Sequence, residues 1–149
     1  LATKGTLNSA LFEKTSSTIN KQIIVKETIG TGLVELIEEG QINSDKMKSL
    51  LSLYINPLLN EGVDCLVLGC THYPYLIPQI RELVGNKIEI IDSGQAVAKQ
   101  TKVVLEKNLL LKTDTKKGKH QFYINKNKDV LAMMISEKSD FISIDEKEF

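Results

Sequence analysis

The chain has 149 residues, 42% hydrophobic and 26% charged, with 19 basic residues against 19 acidic ones. That usage belongs to a folded globular protein of one ordinary domain or two small ones, and it excludes a disordered or collagen-like chain. A net charge of zero leaves no basic surplus for a phosphate backbone, so nucleic acid is not an expected partner. No apolar run approaches the roughly 18 residues a spanning helix needs, and no membrane partner is expected. Two cysteines, Cys65 and Cys70, are too few for a disulfide framework and suit a reducing, cytoplasmic setting. The chain opens Leu1-Ala2-Thr3 without methionine, in what reads as the end of a strand, and is expected to be part of a longer protein.

In chain order, Thr6 is placed to cap a helix over residues 7–19, and Ile23-Ile24-Val25 reads as a short strand. A Gly30-Thr31-Gly32 turn leads into the short helical segment Leu33-Val34-Glu35-Leu36-Ile37-Glu38, with Gly40 as its stop. After Ser44 as cap, Met47, Leu50, Leu51, Tyr54, Ile55, Leu58 and Leu59 recur at three and four to form one apolar stripe, with Pro57 in the last turn. Cys65-Leu66-Val67-Leu68 is apolar throughout, the pattern of a strand covered on both faces. A helix with Leu76, Ile77, Ile80, Leu83 and Val84 follows, then a strand over 88–91 and a helix carrying Val97, Val103, Val104 and Leu105. Residues 112–120 are polar and lysine-rich and read as a linker or exposed loop rather than a basic recognition patch. Short strands over 121–124 and 141–144 flank a last helix with Val130, Leu131, Met134 and Ile135. Strand and helix alternate, which predicts an α/β fold with a mostly parallel sheet flanked by helices.

Ligands of parallel α/β sheets collect at the carboxyl ends of strands. Gly69-Cys70-Thr71-His72-Tyr73-Pro74 occupies that position. Gly69 permits a sharp turn, and Pro74 suits the first turn of the next helix. Cys70 then lies near a helix N-terminus that favours thiolate, and His72 can share its proton. The Thr71 hydroxyl and free backbone N–H groups suit a carboxylate. A buried cysteine is often packing alone, so Cys70 on composition and position is either a reactive thiol or a core residue. Cys65, inside the apolar strand, reads as packing, and His120 as an exposed linker residue. Cys65, Cys70, His72 and His120 lack the paired spacing of a zinc site, and no metal is expected.

Leu68-Gly69-Cys70-Thr71-His72-Tyr73-Pro74 resembles the second cysteine motif of bacterial glutamate racemases. Leu1-Ala2-Thr3-Lys4-Gly5-Thr6 is similar to that family's alanine-threonine-x-glycine-threonine turn. Leu33-Val34-Glu35-Leu36-Ile37-Glu38 resembles its leucine-valine segment ending in glutamate, and Ile91-Asp92-Ser93-Gly94-Gln95-Ala96-Val97-Ala98 its late strand-to-helix junction. These stretches occur in the family's order and span nearly the first hundred residues.

The resemblance implies a cofactor-independent enzyme that interconverts L- and D-glutamate with two cysteines, and so serves peptidoglycan synthesis. It implies that Cys70 takes the proton from L-glutamate, His72 shares it, and Glu38 is a supporting acid. Thr71 would bind a substrate carboxylate, with Thr3 and Thr6 close by. The bland alternatives are a solvated helix end for Glu38 and a plain cap for Thr6, and Tyr73 reads as packing above the sheet, with no chemistry assigned. The resemblance further implies a second α/β domain over 1–92, a segment over 93–149 returning to a first domain, and a homodimer at full length. The family's early aspartate-serine-glycine turn and its alanine-cysteine-asparagine-threonine motif do not occur here, and Cys65 precedes Cys70 on one strand rather than facing it. A fragment inactive on its own is therefore expected. The other classes are a cysteine-dependent hydrolase or transferase, with Cys70 as nucleophile, and a non-catalytic amino-acid-binding fragment.

Overall fold

The structure, a computed structural model, describes residues 1–19, 22–135 and 141–148. It contains two compact units, one of Leu1–Ile37 with Gln41–Ser93 and one of Glu38–Gly40 with Gly94–Phe149.

In the first unit four short backbone segments lie parallel, in the order Ile29, Ala2, β1 (Cys65–Val67) and β2 (Glu89–Ile91). Ala2 N donates to Thr28 O and Gly30 N to Ala2 O, each at 3.0 Å. On the other side Gly69 N donates to Leu1 O at 2.9 Å, and Leu68 N reaches Ile91 O at 2.8 Å. The expected α/β architecture with parallel strands is present, although each ladder is short.

Helices supply the core. Leu33, Leu36 and Ile37 of α3 (Leu33–Glu38) are buried, as are Met47, Leu51, Ile55 and Leu58 of α4 (Asp45–Asn60). The α4 residues follow one another at four, four and three positions, so a single face meets the core. Ser44 caps α4 by accepting from Met47 N at 3.1 Å, and Pro57 sits inside the helix without ending it. Tyr73, Leu76 and Ile80 enter from the 3-10 turn Tyr73–Leu76 and from α5 (Ile77–Val84), which packs against α4. Gly40 ends α3 at φ +72°, with Gln41 N donating back to Leu36 O at 2.8 Å.

Three expectations for this unit need correction. The helix over 7–19 is two shorter ones, α1 (Lys4–Leu7), capped by Thr3, and α2 (Ala10–Ser16), capped by Ser9, so Thr6 is not a cap. Hydroxyls of Thr15, Ser16, Ser17 and Thr18 turn back onto carbonyls three or four residues earlier, a competing pattern that closes α2 early. Ile23, Ile24 and Val25 form no strand and are exposed, because the sheet position beside Ala2 is taken by Thr28 to Gly30. β1 is covered on one face only: Leu66 and Leu68 are buried, whereas Val67 is 56% exposed beside its partner Ile91.

The second unit holds α6 (Gly94–Lys107), β3 (His120–Ile124), α7 (Lys128–Met134) and β4 (Ile142–Glu146). β3 and β4 pair in parallel, and α7 packs on β4. His120 begins β3 rather than lying in the linker, its N–H donating to Phe141 O at 2.7 Å. None of the described residues from 94 onward is buried.

Candidate active site at the carboxyl ends of two parallel segments

The pairing of Ala2 with Gly69 sets two chain segments side by side, so the turn after Ala2 and the loop after β1 leave the sheet at the same edge. A side chain at Gly69 would bring Cβ to 2.9 Å from Ala2 Cβ and 3.6 Å from the Thr6 methyl. Glycine is what lets the Thr3–Thr6 turn close against the Cys70 loop. Within that turn the two threonine hydroxyls are 2.9 Å apart, and Thr6 N donates to Thr3 Oγ1 at 3.3 Å.

On the facing loop, Cys70 is half-buried and its Sγ accepts from His72 N at 3.5 Å. Thr71 is exposed, with Oγ1 3.4 Å from His72 Nδ1. Cys70, Thr71, His72, Thr3 and Thr6 are thus gathered at one sheet edge. The sixth expected residue, Glu38, ends α3 on an exposed position in the other unit, where its carbonyl accepts from Asn127 Nδ2 at 3.1 Å.

The electrostatic setting differs from the expected one. His72 precedes a single 3-10 turn, and α5 begins only at Ile77. Cys70 therefore faces one tight turn, not the N-terminus of a long helix, and the aligned peptide dipoles behind it are few. Cys65 is half-buried on β1. Its thiol is pushed up chiefly by burial and further by the carboxylates of Glu89 and Asp64, all of which favour the neutral form. Among the described residues, no group of three or more His, Cys, Asp or Glu side chains is poised to hold a metal.

Tyr73 packs as the sequence reading expects, but the bond its hydroxyl makes was missed. It is fully buried, and its hydroxyl donates to Gly30 O at 3.0 Å. Its pKa is raised by burial first, then by the negative charge Cys70 can carry, by Glu35 and by Tyr54. The only signal in the sequence is a tyrosine directly following His72, and its partner lies 43 positions away.

A thiol, an imidazole and a pair of hydroxyls at one sheet edge supply proton transfer and anion-binding donors. The description "Asp/Glu/Hydantoin racemase" belongs to the family whose profile matches residues 1–101. The chain belongs to that family. It is 45% identical over 111 residues to glutamate racemase of Pseudomonas putida, an alignment covering 74% of this chain and 42% of that protein. A glutamate racemase isoform of Bacillus anthracis superposes with a TM-score of 0.78 at 24% identity, over 99% of this chain and 55% of that one. The Francisella tularensis glutamate racemase, solved in complex with D-glutamate, superposes at 0.74 with 24% identity, over 94% of this chain and 54% of that one. The chain spans about half the length of the curated relatives it matches.

Proposed function

We propose that this racemase-family chain carries one of the two acid/base half-sites of a glutamate racemase. The observation that carries the reading is the half-buried Cys70 bonded to His72 N beside the Thr3–Thr6 hydroxyl pair, in a chain of this family. The hard step of racemisation is removing an α-proton next to a carboxylate, which is far less acidic than a thiol. A thiolate on one face and a thiol on the other divide that task without a cofactor. In this reading Cys70 abstracts the proton from L-glutamate, and His72 holds or shares it. Thr71, Thr3 and Thr6 offer hydroxyls to substrate carboxylates. Donors aimed at the carboxylate stabilise the charge that develops at the α-carbon.

Cys65 is not a candidate for the second thiol, because it lies on β1, the strand that leads directly into the Cys70 loop. We assign residues 1–92 to the second α/β domain of such an enzyme and 93–149 to a segment returning to the first. The whole enzyme would act in the cytoplasm of a bacterium as a homodimer and supply D-glutamate for peptidoglycan and cell shape. The relatives' names and the D-glutamate complex from Francisella tularensis support glutamate as the substrate class.

The test is thiol labelling with and without glutamate. Glutamate should slow alkylation of Cys70 by iodoacetamide and leave Cys65 unaffected, and equal labelling of Cys70 in both conditions sinks the reading. The 149-residue chain alone should not exchange the α-proton of glutamate into D₂O, whereas a mixture with the complementary half of a relative should.

A further inference from the structure

The hydrogen bonds around Tyr73 form a continuous path from the cysteine loop to the threonine turn. Tyr73 N donates to Cys70 O at 3.3 Å, which closes the loop on itself. The Tyr73 hydroxyl then crosses 43 positions of sequence to donate to Gly30 O at 3.0 Å. Gly30 N in turn donates to Ala2 O at 3.0 Å, and Ala2 is the residue before Thr3. The approach depends on glycine: a Cβ at position 30 would stand 2.5 Å from the phenol oxygen and 2.7 Å from Leu33 Cδ1. Without the phenol, the carbonyl of buried Gly30 would keep, among the described residues, the 3.4 Å contact from Leu33 N. A buried carbonyl so placed is costly to strip of its donor.

We propose that Tyr73 is a positioning residue, whose phenol bolts the Cys70–His72 turn to Gly30 and through it to Ala2, the residue that leads into Thr3. The role for the reaction rests on the reading of Cys70 as the acid/base thiol. Phenylalanine would fill the same space, so what the hydroxyl adds is register between the loop and the turn, not bulk. Burial and the nearby Cys70, Glu35 and Tyr54 all oppose ionisation, so the phenol remains a donor throughout the neutral range.

The experiment compares the unmodified chain with Tyr73→Phe, mapping iodoacetamide alkylation to Cys70 and Cys65 separately. Loss of one hydrogen bond from a local opening equilibrium is expected to speed Cys70 about fivefold and leave Cys65 unchanged. Gly30→Ala, which drives Cβ into the phenol, should accelerate the same site. The double variant should be no faster than the faster single one, since both break the same link. Acceleration of both cysteines together, the mark of general loosening, overturns the proposal, as does an unchanged Cys70. Should the variants fail to fold, amide exchange of the unmodified chain decides. Ala2, Gly30 and Tyr73 should open together, and a Tyr73 amide exchanging about tenfold faster than Gly30 overturns the proposal. Glutamate protection of the unmodified chain is scored separately. Its absence would fail the racemase reading while a selective effect of Tyr73→Phe would stand.

Discussion

A phenol sealed inside a domain responds to alkali differently from one in an unfolded chain. Tyr73 is raised above the ordinary value of 10.0. Once the pH passes about 10, the unfolded chain therefore releases this proton while the folded one keeps it. Stability contributed by the neutral phenol is complete below that value and falls as pH rises beyond it. Tyr73→Phe should flatten that alkaline decline, and urea midpoints taken across pH 8 to roughly 11.5 would reveal it. Thr3 carries two tasks, capping α1 and pairing with the Thr6 hydroxyl. Thr3→Val should cost roughly 1 kcal/mol in the urea midpoint and weaken the protection of Cys70 by glutamate. At this scale the sequence was informative wherever a residue acts through near neighbours. Cys70, Thr71 and His72 share one loop, and Thr3 and Thr6 one turn. Tyr73 was silent because its meaning lies in a carbonyl contributed by a distant turn.

Among the elements, α4 was the most legible. Its stripe at three and four and its Ser44 cap are both repeated in the structure, since a 16-residue amphipathic helix has one face to bury. Ile55→Ala should cost roughly 2–5 kcal/mol and Ser44→Ala roughly 1 kcal/mol, each read from the urea midpoint. The early segments were harder. Ile23-Ile24-Val25 has the composition of a strand, but strand formation needs a free partner, and Ala2 is already bonded to Thr28 and Gly30. The clustered serines and threonines at the end of α2 likewise offered the backbone alternatives that apolar spacing does not register. β1 reads as doubly covered from its letters, yet Val67 and Ile91 share an open face.

At the scale of the molecule, the buried side chains of the described residues all fall between Leu1 and Ile80. The unit containing α6 contributes no buried residue among those described, and Val97, Val103 and Val104 are 59%, 53% and 47% exposed. A hydrophobic dye should bind the isolated chain, and the pair Val103→Glu and Val104→Glu should reduce its fluorescence. The urea midpoint of the first unit should shift by no more than about 0.5 kcal/mol in that variant. No helix among the described residues is long and apolar enough to cross a membrane.

The parallel pairing at the sheet edge also governs how the domain is assembled in time. Leu1 and Val67 are joined by a hydrogen bond across 66 positions of sequence, and β1 must also meet β2. Parallel neighbours cannot be made by a tight turn, so a long loop must close, at an entropic cost, before the pairing contributes anything. The edge that holds Thr3 and Cys70 is thus unfinished until residues 65–69 have docked beside Ala2. Such non-local pairing predicts slow, all-or-none acquisition of the core. It also means that the two halves of the cysteine–threonine edge come into existence in the same event.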